Sequence, residues 1–200
     1  MREAVIVSTA RTPIGKAYRG AFNNTEAPSL AAHAIRHALE RSSTEADAIE
    51  DVIMGCAMPQ GTTGYNVGRM SALAAGLPVQ AAGMTIDRQC ASGLMAIATA
   101  AKQIVHDGME TLIAGGLESI SLVQNEHQNG FRGRDPQVLA HAEHAYMSML
   151  ETAETVAKRY GIEREAMDQY AVSSQTRTAA AQDADLYRDE IAPITVTKVL

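Results

Sequence analysis

Residues 1–116 alternate between short apolar runs and longer stretches in which apolar residues recur every three or four positions. Short apolar runs are typical of buried strands, and the longer spacing is typical of helices that cover a sheet. The predicted strands are Ala4–Ser8, Val52–Gly55, Gly83–Asp87 and Thr111–Ala114. Because strands and helices alternate, we predict an α/β fold, with a mostly parallel sheet covered by helices on both faces.

The helices between these strands carry recognisable start and stop signals. Ser29 is predicted to cap the first helix, and a second helix is predicted over residues 66–75, before Gly76. A long alanine-rich helix follows Cys90 and is predicted to end at Gly108. Strands and helices therefore follow one another closely in this half of the chain.

The texture changes after residue 120, where strand patterns give way to a polar loop and two helical stretches. The helices are predicted over Thr152–Tyr160, with Thr152 as the cap, and over Arg164–Asp183. The segment Ile194–Leu200 resembles a strand, and a strand as the final element suggests a polypeptide that has been cut short. We therefore predict an α/β domain over 1–120 and an incomplete, largely helical domain over 121–200.

Composition and charge exclude several functional classes. The 200 residues carry a formal charge of −6 and show no basic stripe, which argues against nucleic-acid binding. No apolar run approaches the length needed to cross a bilayer, and the first residues lack a secretory signal, so we expect a cytoplasmic protein without membrane contact. Two distant cysteines fit a reducing compartment without a disulfide framework.

Cys90 is the residue most suggestive of chemistry, because it lies between a predicted strand and a predicted helix. A helix N-terminus presents unpaired N–H groups and the positive end of the helix dipole, and both stabilise a negatively charged sulfur. Ser92 and Gly93 keep the first turn small, and Arg88 adds positive charge nearby. A small buried hydrophobe and a redox-sensing thiol remain as alternative interpretations.

Other polar residues give weaker signals. The pairs His33/His37 and His141/His144 lack further ligands close by in sequence, so we predict no metal site. Glu118 follows a Gly-Gly turn and would act as an acid or base, or would orient backbone amides. Cys56 is expected to contribute mainly to core packing.

Several separate blocks of the chain carry motifs that follow one another in a set order, namely residues 10–15, 66–69, 75–78, 87–94, 115–121, 149–160, 168–175 and 189–193. Together these blocks resemble the thiolase family of CoA-dependent acyltransferases. Residues 87–94 resemble the nucleophile signature of that family, with Asp87 where asparagine is more usual. Residues 115–121 resemble a second block of the family, with Ile120 where methionine is common. The resemblance covers the N-terminal half of a thiolase and most of its loop domain, and it implies the layered fold of that family.

The resemblance implies a mechanism and a set of site residues. Cys90 would take up an acyl group as a thioester and pass it to CoA or to an acetyl-CoA carbanion, with its backbone N–H in the oxyanion hole. Met149 matches a methionine of the acyl pocket, and Ser148 stands beside it where histidine is common. Residues Arg88, Gly93 and Glu118 would support the site. Acyl-CoA would be a substrate in fatty acid metabolism, without a tightly bound cofactor.

Thiolases consist of two similar halves, and this chain resembles the first half with part of the loop domain. The histidine that activates the nucleophile, an Asn–water oxyanion site and a second catalytic cysteine belong to the other half. The resemblance therefore implies a complementary C-terminal half, in the same gene or on a separate chain, and a homo-oligomer, dimeric or tetrameric. The alternative is a non-catalytic thiolase-like module that binds acyl-CoA or another protein.

Overall fold

The computed structural model describes residues 2–197. The chain divides into two compact units, one formed by the chain up to Gln128 together with the segment from Glu190, the other by Asn129–Asp189. Residues 121–128 therefore belong with the sheet unit, although the sequence analysis grouped them with the helical domain. The chain enters the second unit after Gln128 and returns to the first at Glu190.

The first unit is built around a parallel sheet of three strands, β1 (Asp51–Gly55), β2 (Ala82–Ile86) and β3 (Leu112–Gly116). Strand β1 lies in the centre, between β2 and β3, and Gly55 is level with Ile86 and Gly116. The carboxyl ends of all three strands therefore lie along one edge of the sheet. The α-helices of this unit are α1 (Ala27–Ser42), α2 (Val67–Ala75), α3 (Ser92–Lys102) and the short α4 (Ile120–Val123). Helix α3 continues as a π-helical turn over Gln103–Asp107, which ends at Gly108 as predicted.

Both faces of the sheet are covered, because all five residues of β1 are buried and their side chains alternate between two cores. Val52 and Met54 contact one core, and Ile53 contacts the other. The first core includes Ala31 and Ile35 of α1 with Ala72 of α2, and the second includes Ala96 and Ala100 of α3. The predicted α/β class, with a parallel sheet between helical layers, is confirmed.

The predicted helices form, with differences at their first residues. Helix α1 begins at Ala27 after the N-cap Glu26, so Ser29 lies inside the helix and is not the cap. Pro28 lies in the first turn, where its fixed φ and missing N–H suit a helix start. Helix α2 has Asn66 as its N-cap. It ends at the C-cap Gly76, as predicted, and Gly76 has the positive φ of +85° that favours glycine at this position.

The prediction of a buried strand over Ala4–Ser8 is wrong. These residues form no strand, and the side chains of Val5, Ile6 and Val7 are 71–74% exposed. The segment borders a cavity of about 860 Å³ that also reaches β3, and among residues 2–197 its backbone pairs with no strand. An apolar run of this kind favours a strand, but a strand also requires a neighbouring strand whose backbone it can pair with.

The returning segment after the second unit contacts the first unit beside Arg11. The backbone N–H of Arg11 donates to the carbonyl of Glu190 at 2.9 Å, and the N–H of Ala192 donates to the carbonyl of Arg11 at 2.7 Å. Residues 194–197 form no strand, contrary to the prediction for Ile194–Leu200, because the pairing with Arg11 ends before them. Residues 198–200 of that prediction lie outside the described residues.

The second unit contains three helices, α5 (Pro136–His141), α6 (Met149–Tyr160) and α7 (Arg164–Asp183). Helix α6 begins three residues before the predicted cap Thr152, because Ser148 and Glu151 form a reciprocal capping box. The α6 C-cap Gly161 has φ +61°, and α7 has the bounds predicted from the sequence. No helix within residues 2–197 is both long and apolar enough to cross a membrane.

Candidate active site at the carboxyl edge of the sheet

Cys90 lies in the turn that joins β2 to α3, at the carboxyl edge of the sheet. Its thiol is exposed, whereas that of Cys56 is buried. Helix α3 begins at Ser92 with Ala91 as its N-cap, so Cys90 immediately precedes the cap. The sequence placed the cysteine between a strand and a helix start, and the structure has this arrangement. Edges of this kind are where ligands bind in parallel α/β sheets.

The turn around Cys90 has an unusual backbone conformation held by side chains. Gln89 has φ +48°, a left-handed conformation that non-glycine residues rarely adopt. The Asp87 carboxylate accepts the N–H of Gln89 at 2.8 Å. The Ser92 hydroxyl accepts the N–H of Arg88 at 2.8 Å and donates to the carbonyl of Gln89 at 2.6 Å. The side chain of Ser92, which is 4% exposed, therefore forms hydrogen bonds with the two residues directly before Cys90, Arg88 and Gln89.

The first amides of α3 differ in their partners. The N–H groups of Ala91 and Ser92 donate to the carbonyls of Arg88 and Gln89 at 3.1 and 3.0 Å. Within the described chain, the next two N–H groups along the helix, those of Gly93 and Leu94, have no hydrogen-bond acceptor. Such free N–H groups carry the positive end of a helix dipole. The helix start next to the Cys90 turn therefore favours negative charge.

The start of α3 lies directly on the ends of two strands. A Cβ built on Gly55 would lie 2.2 Å from the carbonyl carbon of Ser92 and 2.4 Å from the nitrogen of Gly93. A Cβ on Gly116 would lie 3.1 Å from the Cα of Gly93. Real Cβ contacts essentially never come under 3.0 Å. Glycine at these places lets the helix backbone reach the sheet.

Glu118 and Cys56 form a second polar group at the same edge. One Glu118 carboxylate oxygen accepts the backbone N–H of Ala57 at 2.8 Å, and the other accepts the Cys56 thiol at 3.5 Å. Burial is the main cause that raises the pKa of the Cys56 thiol to about 11, and the charge of Glu118 adds to it. Cys56 is therefore a protonated, buried thiol, as its expected packing role implies.

The other predicted site residues have different surroundings. Arg88 is exposed, and its backbone N–H joins the turn through Ser92. Ser148 and Met149 begin helix α6 in the second unit, where Met149 is 74% exposed and Ser148 acts as the N-cap. Among the described residues, no three histidine, cysteine or acidic side chains are grouped as metal ligands would be.

Comparison with known families identifies the fold that carries this site. A model described as "Thiolase, N-terminal domain" matches residues 4–199. The chain belongs to the thiolase family. The resemblance predicted from the sequence blocks is thereby confirmed, including the restriction to the N-terminal part.

Curated thiolases match this family member over nearly its whole length. It is 42% identical to a 3-ketoacyl-CoA thiolase of Bacillus subtilis, with 98% of this chain and 50% of the relative covered. It is 40% identical to a beta-ketoadipyl-CoA thiolase of Acinetobacter baylyi and 39% identical to an acetyl-CoA acetyltransferase of Cupriavidus necator. In both cases 98% of this chain and 52% of the relative are covered. The chain thus spans about half the length of these thiolases.

Three features of this site were not predicted from the sequence. Ser92 was expected only to keep the first turn small, and Gly55 was not predicted to have a role. The contact between Cys56, which directly follows β1, and Glu118, the second residue after β3, was not predicted either. No local signal could have identified the last pair, because its contact depends on β1 and β3 being neighbours in the sheet.

Proposed function

We propose that this chain is the part of a thiolase that carries the acyl-accepting nucleophile, and that Cys90 is this nucleophile. The exposed Cys90 thiol beside free amides at a helix start is the observation that carries the proposal. A reacting sulfur must be open to its substrate, and its negative charge must be stabilised. Membership of a family of acyltransferases supports the same reaction class.

The proposed reaction is acyl transfer between CoA thioesters. The Cys90 sulfur attacks the thioester carbonyl carbon, a bond from that carbon to Cys90 forms, and the bond to the CoA sulfur breaks. The proton of the Cys90 thiol ends on the departing CoA sulfur. In the synthetic direction, a second acetyl-CoA then loses a methyl proton to a base of the C-terminal half, its carbanion forms a carbon–carbon bond with the acyl carbon, the bond to the Cys90 sulfur breaks, and that sulfur takes up the proton. In the degradative direction, the Cys90 sulfur attacks the 3-oxo carbon of a 3-oxoacyl-CoA, the bond between that carbon and the acetyl-CoA carbon breaks, and the departing acetyl-CoA takes the thiol proton at its methyl carbon. CoA then takes the acyl group from Cys90 and gives its own thiol proton to the Cys90 sulfur.

The chain's own part in this reaction is to hold the sulfur and to stabilise charge. The proposed oxyanion hole includes the backbone N–H of Cys90, and the free N–H groups of Gly93 and Leu94 add positive potential. Gly93 contributes by its small size, since it lies against Gly116. Arg88 would add positive charge from the exposed side of the turn. Glu118 would act by orienting the backbone after β1, through the N–H of Ala57.

The proposal includes a second half and an acyl-CoA substrate. The chain spans about half the length of its relatives. We propose that a C-terminal half supplies the base that accepts the proton of the Cys90 thiol. The names of the relatives support 3-ketoacyl-CoA or acetyl-CoA as the substrate class. That no cofactor is tightly bound stays a prediction. A role for Ser148 and Met149 in binding CoA, and assembly into a homo-oligomer, stay predictions.

The test is acetylation of the protein by acetyl-CoA, read from intact mass and peptide mapping. The chain is co-expressed with a C-terminal thiolase half, and the complex is compared in its parent, Cys90→Ala and Cys56→Ala forms. The parent and Cys56→Ala proteins should gain one acetyl group, on Cys90, and the Cys90→Ala protein should gain none. An acetylated Cys90→Ala protein, or a parent complex that binds acetyl-CoA without acetylation, would contradict the proposal. The second result would favour the non-catalytic binding module.

A further inference from the structure

We propose that Gly55 and Ser92 are positioning residues that fix the place of the Cys90 sulfur. The proposal rests on the proposed role of Cys90, because it concerns the geometry of that nucleophile. Neither residue is expected to contact the substrate through a side chain. Gly55 has no side chain, and the hydroxyl of Ser92 is buried and hydrogen-bonded within the turn. Both therefore act through the backbone that carries the sulfur.

Ser92 holds the turn from the side of the helix. Its hydroxyl uses both its hydrogen-bonding capacities on the two residues before Cys90, the N–H of Arg88 and the carbonyl of Gln89. Gln89 is in the left-handed region, which is unfavourable for a residue with a side chain and persists where surrounding bonds maintain it. Removing the hydroxyl takes away the bond to the N–H of Arg88 and leaves the carbonyl of Gln89 with the N–H of Ser92 as its remaining partner in the turn. The turn can then relax toward other conformations.

Gly55 holds the same turn from the side of the sheet. The carbonyl carbon of Ser92 and the nitrogen of Gly93 occupy the space that a Cβ at residue 55 would need. An alanine there would have to move the start of α3 by about 0.8 Å or more to restore a 3.0 Å contact. Cys90 immediately precedes the N-cap of that helix, so the displacement is transmitted to the sulfur.

Ser92 is the residue that both constraints share. Its backbone lies against Gly55, and its side chain bonds to Arg88 and Gln89. The turn is thus fixed between the end of β1 and the first residue of α3. A rigid nucleophile of this kind matters because a misplacement of about 1 Å lowers a rate about 100-fold.

The experiment compares two test variants with two matched controls, in the complex with the C-terminal half. The tests are Ser92→Ala and Gly55→Ala. Ser71→Ala is the serine control, because Ser71 is equally buried but its hydroxyl has no hydrogen-bond partner among the described residues. Gly115→Ala is the glycine control, because a Cβ there would meet Met54 at an ordinary 3.8 Å. Ser92→Thr, which keeps the hydroxyl, tests rescue.

Two readouts separate positioning from loss of folding and from failure of the proposed function. The first is kcat and KM for acyl transfer, and the second is the rate at which iodoacetamide alkylates Cys90 in the folded protein. For both test variants we expect kcat to fall about tenfold to 100-fold at nearly constant KM, and the alkylation rate to change by at least threefold. The controls should match the parent, and Ser92→Thr should recover most of the loss.

The alkylation readout does not depend on acyl transfer. If no variant and no parent transfers acyl groups, the proposed function fails, and the alkylation rates still decide whether these residues position the sulfur. Should Gly55→Ala not fold, Ser92→Ala with its threonine rescue decides the question. The proposal would be overturned if Ser92→Ala and Ser71→Ala had the same kcat and the same alkylation rate of Cys90. This holds whether both variants match the parent or both lose activity to the same extent.

Discussion

The two cysteines of this chain should differ sharply in reactivity in the folded protein. The Cys56 thiol is 1% exposed and donates to Glu118, whereas the Cys90 thiol is exposed in its turn. Alkylation by iodoacetamide requires a thiolate that the reagent can reach. We therefore expect Cys90 to react completely before Cys56 is modified to a measurable extent.

The size of the effect at Cys56 follows from its pKa. A pKa of about 11, against the usual 9.0, leaves about one thiol in a thousand ionised at pH 8 instead of about one in ten. Ionisation alone thus slows alkylation of Cys56 about 100-fold relative to an ordinary thiol. Burial slows it further, because the reagent reaches the sulfur only when the surrounding core opens.

The assay is timed alkylation at pH 8 followed by peptide mass spectrometry, with each cysteine peptide quantified separately. The same reaction in concentrated urea is the control, and there both peptides should be modified at similar rates. Modification of Cys56 in the folded protein within tenfold of the Cys90 rate would refute the reasoning, since it would mean that Cys56 is neither buried nor held as a thiol.

Two further predictions concern stability. The pKa of the Cys56 thiol is raised on folding from 9.0 to about 11, so the folded state holds this proton more tightly than the unfolded state does. The contribution of this thiol to the free energy of unfolding is therefore fully present below pH 9 and falls by about 2–3 kcal/mol between pH 9 and 11. Urea unfolding of the parent at several pH values should show this loss, and the same series on Cys56→Ala should lack it; parallel curves would contradict the assignment. Ser148→Ala removes the capping box of α6 and should cost about 1 kcal/mol, measured by thermal unfolding followed by circular dichroism, whereas Thr152→Ala should cost less because Thr152 is not the cap.

The sequence was sufficient for the elements whose signals are local. Helix α7 has its predicted bounds, and α2 ends at Gly76 as predicted, because a positive φ favours glycine over other residues. The central strand was predictable because a wholly apolar run between turn residues is typical of a strand buried on both faces. The Cys90 turn was found in the same way, between a strand pattern and a helix pattern.

Features that depend on distant neighbours were not predictable. The apolar run Ala4–Ser8 carries the composition of a strand, but whether it pairs is decided by what lies beside it, here a cavity. The bond from Cys56 to Glu118 joins residues far apart in sequence and depends on strand order. Gly55 acquires its importance from the backbone of Ser92 above it, which no local pattern indicates.

The open side of β3 has a practical consequence for handling the protein. Strand β3 pairs with β1 on one side, and its other side borders the cavity, next to the exposed Val5, Ile6 and Val7. A strand edge with apolar neighbours offers backbone groups to any extended peptide that meets it. Recombinant material of this chain is accordingly expected to precipitate as its concentration rises, unless another polypeptide covers that edge.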